Sequence, residues 1–233
     1  FRLDLNSAER GAYNLNINIA IDGPAGAGKS TVAKILAKKL KMKYIDTGAM
    51  YRAVTLKALE NKKETEQEII DIAKKIDIRF AQDKIYVDGE DVTQKIRDKN
   101  IDNKVSDVAK IEEVRKIMLK SQQQLAKAKN VIMDGRDIGT TVMPHADFKF
   151  FLTADLTERA KRRYKQVSQI DKNMKFEEIK NEIQARDTKD KKRKCSPLLA
   201  AQDAIIIDTT DKSIEQVIDE IMSHVKGVGS DAL

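Results

Sequence analysis

The stretch GPAGAGKST, residues 23–31, has the residue types and the spacing of a phosphate-binding loop. It satisfies the pattern G-x-x-x-x-G-K-[S/T] and lies between an apolar run and a helical pattern, the context that such a loop requires. Glycines let backbone N–H groups turn toward an anion, and the following helix adds its positive dipole end. Lys29 can reach the β- and γ-phosphates, and the Ser30 hydroxyl can bind Mg²⁺. The sequence therefore predicts a nucleoside triphosphate site.

GTPases, ATPase motors and small kinases share this loop. A GTP switch protein needs an aspartate three residues before a glycine, and none of the ten glycines has that neighbour. The guanine-reading pattern N-K-x-D is also missing, since the stretch from Asn103 reads NKVS. A chain of 233 residues without helicase motifs is not typical of a motor. A small kinase is the favoured interpretation.

A kinase for a phosphorylated acceptor needs a second anion site, and three charged segments can supply it. They are DTGAMYR at 46–52, MDGRDIGT at 133–140 and ARDTKDKKR at 185–193. The carboxyl ends of strands in a doubly wound parallel sheet converge on the ligand crevice. We therefore expect four side chains to point into one space: Arg52, Asp134, Arg136 and Asp137.

Together these segments resemble the bacterial-type cytidylate kinases, which transfer a phosphoryl group from ATP to CMP or dCMP. The likeness covers about residues 17–225 and rests on IDGPAGAGKST, DTGAMYR, DGRDIGT, RDTKDKKR followed by SPL, and DAIIIDTT, in that order. It implies an α/β fold of the P-loop nucleoside monophosphate kinase type. That fold has a five-stranded parallel sheet with helices on both faces, a small inserted α+β subdomain that binds CMP, and a basic lid.

The resemblance also implies roles for individual residues. It assigns the ATP phosphates to Gly23, Pro24, Ala25, Gly26, Ala27, Gly28, Lys29, Ser30 and Thr31. It assigns CMP to Thr47, Arg52, Ser106, Arg115, Arg136, Asp137, Arg186, Asp190 and Arg193. By this resemblance Arg52 and Arg136 would hold the CMP phosphate, and Asp137 and Arg115 would read the base, which Thr47 helps to hold. Ser106, Arg186 and Asp190 would lie near the sugar, and Arg193 would lie beside the base and the transferring phosphates. For Ser106 the alternative is a helix cap, and for Asp137 it is an ion pair with Arg136 or a helix cap.

The chemistry of cytosine agrees with these base contacts. Cytosine presents an amine donor where uracil presents a carbonyl acceptor. A carboxylate such as that of Asp137 favours the first and disfavours the second, while Arg115 can donate to the remaining acceptors. Sites of this kind discriminate by as much as ~10⁴-fold, because the wrong ligand leaves buried polar groups unpaired.

The acceptor is a phosphate oxygen whose second pKa is roughly 6, so it needs no general base at neutral pH. Catalysis should come from positioning and charge neutralisation. We assign this work to Lys29, Arg136, Arg186 and Arg193. We expect Mg²⁺ to be held by Ser30 and, through water, by Asp134, with Asp46 as the alternative.

The run RDTKDKKRKC at 186–195 is interpreted as part of a lid over residues 186–198. Two phosphate-bearing substrates repel each other, and a cationic flap that closes over both offsets this repulsion and excludes water. Arg186, Asp190 and Arg193 are three to four residues apart, so one helical turn would place them on one face. We interpret three lysines of this run as solvent-exposed charges without a role in the site: Lys191, Lys192 and Lys194.

Five short apolar runs predict the strands that position these residues. They are INIAID at 17–22, KYIDT at 43–47, NVIMD at 130–134, FKFFL at 148–152 and AIIID at 204–208. Each lies beside a helical segment, as parallel strands joined by crossover helices require. The helical segment ERAKRRY at 158–164 places Arg159, Arg162 and Arg163 near the ATP base or the lid hinge, or in surface salt bridges.

Residues 62–109 interrupt this rhythm. The helical EQEIIDIAKKI at 66–76 leads into DIRF and KIYV, two alternating runs that predict a hairpin. We interpret 62–109 as the inserted subdomain, with 16–61 and 110–227 as the kinase core. Residues 1–15 show no clear period and are expected to be a tail or a cloning remnant.

Composition limits the class of partner. Apolar residues make up 41% of the chain, which predicts a globular protein, and the net charge of +7 favours anionic partners. The one cysteine, Cys195, excludes an internal disulfide, and the two histidines supply no zinc-ligand spacing. Without an apolar stretch of membrane-spanning length, we expect a cytoplasmic, soluble monomer with no membrane partner and no stable nucleic-acid partner.

Two other functions fit part of the pattern. One is a different small P-loop kinase that acts on UMP, AMP or a non-nucleotide acceptor such as shikimate. The other is a basic RNA-binding module that uses ATP as a switch. The second needs aromatic side chains among its basic residues for stacking, and the chain has five tyrosines, six phenylalanines and no tryptophan.

Overall fold

The computed structural model describes residues 2–3, 16–81, 84–168, 175–193 and 195–226. The chain divides into a core unit, Leu15–Lys43 with Asn130–Leu233, and a small unit, Phe1–Asn14 with Tyr44–Lys129. Over the described ranges, no helix combines the length and the apolar character that crossing a bilayer demands.

The secondary structure elements are numbered in chain order. The strands are β1 (Arg2–Leu3), β2 (Asn18–Asp22), β3 (Lys43–Asp46), β4 (Ile78–Ala81), β5 (Lys84–Val87), β6 (Glu90–Asp91), β7 (Val131–Gly135), β8 (Phe148–Thr153) and β9 (Ile205–Asp208). The helices are α1 (Lys29–Leu40), α2 (Thr47–Glu60), α3 (Glu66–Lys75), α4 (Lys99–Val108), α5 (Glu112–Ala126), α6 (Leu156–Val167), α7 (Phe176–Lys191) and α8 (Ile214–Lys226). Lys95–Arg97 forms a 3₁₀ turn, and Ile138–Val142 forms a π turn.

The larger sheet has the strand order β3-β7-β2-β8-β9, and β2 is its central strand. Ile19 pairs with Ile132 of β7 and with Phe148 of β8, and both pairings are parallel. Every residue of β2 is buried, as expected for a parallel strand that is covered on both faces. The edge strand β3 begins at Lys43, whose N–H donates to the Asn130 carbonyl at 2.8 Å. The predicted five-stranded parallel sheet is confirmed.

The turn from β2 to α1 depends on glycine. Gly23 has φ of +146°, and a Cβ at this position would lie 2.0 Å from the Leu152 carbonyl oxygen. Gly28, at φ of +85°, is the N-cap residue of α1 and makes no side-chain capping bond. The first N–H groups of α1 are therefore left to be satisfied by something other than a capping side chain.

A second, four-stranded sheet of order β1-β4-β5-β6 lies in the small unit. Its strands β4 and β5 pair antiparallel, with Ile78 opposite Val87 and Ala81 opposite Lys84. The predicted hairpin is thereby confirmed, while its loop residues 82–83 lie outside the described residues.

The small unit is wider than the predicted insert of residues 62–109. Helices α2 and α5 bury apolar side chains in the same core as the hairpin. Among them are Met50, Val54 and Met118, which are fully buried. One hydrophobic cluster joins these elements, and the small unit accordingly includes the whole of Tyr44–Lys129.

The first residues were expected to be a tail, but Arg2–Leu3 forms β1, which pairs parallel with Arg79 and Phe80 of β4. This pairing satisfies backbone groups along β4 that an open sheet edge would leave exposed. A two-residue strand has too few side chains to show a period, so the pattern did not reveal it. Residues 1 and 4–15 lie outside the described residues.

Candidate active site

The phosphate loop of the core unit surrounds a buried lysine. Lys29 begins α1, is 6% exposed, and donates through Nζ to the Pro24 carbonyl at 2.8 Å. Burial, followed by the positive charges of Arg136 and Arg186, lowers the pKa of Lys29 to about 7, although Asp134 opposes the shift. Three cationic side chains of the core unit are therefore close enough to influence one another at the loop. An anion bound there would relieve their repulsion.

The two groups predicted to hold Mg²⁺ are in direct contact. The Ser30 hydroxyl donates to Asp134 Oδ2 at 2.7 Å, and Asp134 is 3% exposed near the end of β7. Hydroxyl and carboxylate oxygens are the hard ligands that Mg²⁺ prefers, and phosphates and water supply the remaining ones in phosphoryl-transfer sites. In the part of the chain that the structure describes, no cluster of three or more His, Cys, Asp or Glu suggests a separate metal centre. The Ser30–Asp134 pair fits Mg²⁺.

A buried carboxylate contacts arginines of both the GRD segment and the predicted lid. Asp190, which is 1% exposed, accepts from Arg136 Nε at 2.9 Å and contacts the Arg193 guanidinium through its other oxygen. Burial opposes the charged form of Asp190, but Arg136, Arg193 and Arg186 together outweigh it and lower the pKa. The predicted grouping of Arg186, Asp190 and Arg193 thus exists within the core unit, although Arg193 lies just beyond the end of α7.

The segment that the sequence predicts to be a lid, residues 186–198, begins inside a helix. Helix α7 continues through Lys191, so Arg186 and Asp190 lie on its last turns. The Leu198 N–H donates to the Asp190 carbonyl at 3.0 Å, which brings the two ends of the intervening loop together. Lys194 lies outside the described residues.

Asp22 shapes the GRD segment and was not singled out from the sequence. Its carboxylate accepts from the N–H groups of Ile138 and Gly139 at 2.8 and 2.7 Å. Burial raises the pKa of Asp22 to about 6, although these two N–H groups favour its charged form. The contact fixes the backbone directly after Asp137, which is itself 8% exposed. Residues 22 and 138 are far apart in the sequence, and no local pattern connects them.

The small unit holds the buried Arg52 in an ion pair with a half-buried aspartate. Arg52 contacts Asp102 through Nη1, and the same nitrogen donates to the Ile96 carbonyl at 3.2 Å. Ser106 follows Asp102 by one turn inside α4, whose cap residue is Asp98. The capping alternative for Ser106 is therefore wrong, and Ser106 shares a helix face with the partner of Arg52.

Asp46 and Thr47 form the start of α2. Asp46 caps the helix by accepting from the Ala49 N–H at 2.9 Å, and its other oxygen accepts from Arg97 at 2.5 Å. Burial opposes the charge of Asp46, but Arg97, the Ala49 N–H and Arg52 together outweigh it and lower the pKa. Thr47 is buried as the first residue of α2. Asp46 is thus engaged in a cap and an ion pair, whereas Asp134 contacts Ser30.

Arg115 lies next to the same helix. Its guanidinium carbon is 5.5 Å from the centroid of the Tyr51 ring, a cation–π distance, and its Nη1 donates to the Ala109 carbonyl at 3.2 Å. Arg115 is 6% exposed and Arg52 is 9% exposed. The small unit therefore buries two arginine side chains. Arg52 belongs to α2, and Arg115 packs on Tyr51, the residue before Arg52.

The arginines of α6 have different environments. Arg162 donates to Glu158 at 3.0 Å and to the Thr209 hydroxyl at 2.9 Å, which links α6 to the end of β9. Arg159 is 7% exposed and donates to the Ala25 carbonyl of the phosphate loop. The alternative interpretation of Arg159, a salt bridge on the surface, is therefore wrong because this side chain is buried.

Comparisons with known proteins agree over nearly the whole chain. A family model described as "Cytidylate kinase" matches residues 19–227. A protein named cytidylate kinase from Caldanaerobacter subterraneus subsp. tengcongensis is 53% identical over 215 residues, which cover 91% of this chain and 96% of that protein. One of the same name from Clostridioides difficile (strain 630) is 50% identical and covers 90% of this chain and 98% of its own.

Solved structures give a more distant likeness. A gluconokinase from Sinorhizobium meliloti 1021 aligns with a TM-score of 0.50 at 11% identity, covering 94% of this chain and 96% of its own. An uncharacterized protein from Eubacterium ventriosum ATCC 27560 aligns with a TM-score of 0.51 at 13% identity, covering 91% and 99%. At such identities the likeness concerns the fold alone.

Proposed function

This chain belongs to the cytidylate kinase family, and on that premise we propose how its residues transfer the γ-phosphoryl group of ATP to CMP or dCMP. The products are ADP and CDP or dCDP. The observation that carries the proposal lies in the core unit. A phosphate loop whose Ser30 contacts Asp134 is accompanied there by Arg136 and Arg193, both bound to Asp190.

ATP is the proposed ligand of residues 23–31. The uncapped N-terminus of α1 supplies N–H donors and its dipole to the phosphates. Lys29, now bound to the Pro24 carbonyl, would exchange this partner for the β- and γ-phosphates, and the change would restore its full positive charge. Bound Mg²⁺, held by Ser30 and through water by Asp134, would neutralise phosphate charge.

Arg136, Arg186 and Arg193 are proposed to surround the phosphoryl group as it moves. The transition state spreads negative charge over its equatorial oxygens, and guanidinium groups stabilise that charge. Asp190 holds these arginines together in the absence of substrate, when their mutual repulsion is greatest. The acceptor oxygen is already ionised, so the chain needs no catalytic base.

CMP is the proposed ligand of the remaining polar residues. Arg52 would exchange Asp102 for the CMP phosphate, and Ser106, one turn further along α4, would contact the sugar with Arg186 and Asp190. Asp137 and Arg115 would read the base, and Thr47 would help to hold it. None of these proposed contacts requires a residue from a second chain, and we propose that the chain acts as a monomer.

The test is ADP release from ATP with CMP, dCMP, UMP and AMP as acceptors, with and without Mg²⁺. The proposal expects turnover with CMP and dCMP, far less with UMP and AMP, and almost none without the metal. Equal turnover with all four acceptors would contradict the proposed contacts to the base.

A further inference from the structure

A buried ion pair of the core unit has no part in the chemistry above. Arg159, in the first turn of α6, is 7% exposed, and Asp187, in α7, is 8% exposed. The Arg159 Nη1 atom contacts Asp187 Oδ2. A buried ion pair adds little net stability, because the loss of hydration offsets the attraction. Stability alone therefore does not explain the position of this pair.

Both side chains bind the main chain of Ala25, in the phosphate loop. The Ala25 N–H donates to Asp187 Oδ1 at 3.2 Å, and the Ala25 carbonyl accepts from Arg159 Nη1 at 3.0 Å. The Arg159 Nε atom donates to the Ala154 carbonyl at 3.0 Å, which fixes the plane of the guanidinium. One ion pair thus holds both polar groups of a single loop residue.

Packing restricts the same part of the loop. The Ala25 side chain packs against a small apolar cluster of α6 and α7 that contains Ala160, Ile179 and Ile183. The next residue, Gly26, has φ of +78°, and a Cβ there would lie 3.0 Å from Arg159 Cβ and from the Arg159 carbonyl oxygen. The backbone of α6 therefore lies directly against the loop.

We propose that Asp187 and Arg159 are positioning residues that hold Ala25 in the conformation in which the phosphate loop binds ATP. The inference rests on the proposed function only in taking ATP as the ligand of the loop. Main-chain donors stabilise an anion best when they are already oriented, since no free energy is then spent on ordering them. If the Ala25 N–H and carbonyl were both released, the loop would have to become ordered each time ATP binds.

Asp187 also lies in the same helix as two residues of the proposed phosphoryl-transfer site. Arg186 directly precedes it, and Asp190, one turn later, binds Arg136 and Arg193. Residues 186–190 belong to one continuous helix, so the anchor at Asp187 also fixes the place from which these charges project.

The experiment compares Asp187→Asn and Arg159→Lys with Glu182→Gln, which changes an exposed carboxylate of the same helix. Asparagine keeps the shape of Asp187 but turns an NH₂ group toward a guanidinium, and lysine keeps the charge of Arg159 but cannot reach three acceptors. Calorimetric titration gives the Kd of ATP and of CMP, steady-state kinetics gives both KM values, and thermal unfolding gives Tm. We expect the Kd and KM of ATP to rise at least about tenfold, with those of CMP within about twofold.

A double variant separates positioning from stability. Asp187→Leu with Arg159→Met removes both charges and every side-chain bond to Ala25, and apolar pairs often replace buried ion pairs without loss of stability. We expect it to recover the Tm that the single variants lose, while its ATP affinity stays at least about tenfold below that of the wild type.

Two outcomes would overturn the inference. One is unchanged ATP affinity in folded single variants, and the other is recovery of ATP affinity together with Tm in the double variant. If the wild type binds ATP but does not phosphorylate CMP, the proposed function fails on its own. The ATP affinities of the variants then still decide whether Asp187 and Arg159 position the loop.

Discussion

Asp190 accepts a hydrogen bond from Arg136 Nε at 2.9 Å, and its other carboxylate oxygen contacts Arg193. One carboxylate, 1% exposed, thereby joins the GRD segment to the end of α7. Without it, the two guanidinium groups would repel each other in the unliganded protein. We propose that this carboxylate keeps the cationic groups in place until anionic substrates bind.

The arginines around Asp190 are expected to act mainly on turnover. Arg186→Ala or Arg193→Ala should lower kcat for CMP at least tenfold, because one well-placed arginine in such a site contributes ~10³ to 10⁵ in rate. Steady-state assays give kcat, and thermal unfolding checks that each variant is folded. Lys191→Ala, which removes an exposed charge from the same helix, serves as the control. Near-normal turnover in both arginine variants would remove the lid hypothesis.

The contact between Ser30 and Asp134 predicts the dependence on Mg²⁺. Ser30→Ala and Asp134→Asn should each raise the Mg²⁺ concentration for half-maximal activity by about tenfold, the usual effect of losing a group that supports a metal. A titration of activity with Mg²⁺ at saturating ATP and CMP measures this. Asp211→Asn, an exposed carboxylate of the core unit, should leave the titration unchanged. The metal assignment fails if all three variants share the wild-type curve.

Asp137 is expected to set the preference for cytosine. Asp137→Asn replaces an acceptor with a group that can also donate, so the carbonyl of uracil gains a partner. The ratio of kcat/KM for CMP to that for UMP should fall at least about tenfold, while the KM of ATP stays near its wild-type value. An unchanged ratio would show that another residue reads the exocyclic group of the base.

The capping box of α3 gives a stability prediction that depends on pH. Glu68 accepts from Lys63 at 2.9 Å and from the Thr65 N–H at 3.2 Å, and these bonds lower its pKa from 4.5 to about 2. Because the folded-state pKa is the lower one, the carboxylate stabilises the fold above pH 4.5 and loses this effect as the pH falls toward 2. Urea unfolding should show Glu68→Gln less stable than the wild type at pH 7, with a smaller difference at pH 3.

Glu66→Gln is the matched control for that comparison, since Glu66 lies in the same first turn of α3 and is exposed. Its difference from the wild type should change less between pH 7 and pH 3. A constant difference for Glu68→Gln over this range would mean that the charge of Glu68 does not support the cap.

The core of the fold was predictable because its signals are local. The apolar run at 17–22, the glycine turn and the helical pattern that follows it correspond to β2, the phosphate loop and α1. The hairpin of β4 and β5 followed from alternation of side chains in the same way. Such patterns depend on neighbours in the sequence, so a single chain displays them.

Contacts between distant segments were not predictable. Asp22 binds the N–H groups of Ile138 and Gly139, and Asp187 binds that of Ala25, but no local period connects these positions. The width of the small unit was missed for the same reason, since α2 and α5 join its core only through tertiary packing. The assignments to CMP came from the family resemblance and remain predictions for the variants above to test.

The central claim is that this chain moves a phosphoryl group from one nucleotide to another, and chromatography of the nucleotides over time tests it most directly. With ATP, CMP and Mg²⁺, the account predicts that CDP and ADP appear in equal amounts, and that Lys29→Met lowers both rates together. ADP formed without CDP, or at the same rate whether or not CMP is present, would contradict the account.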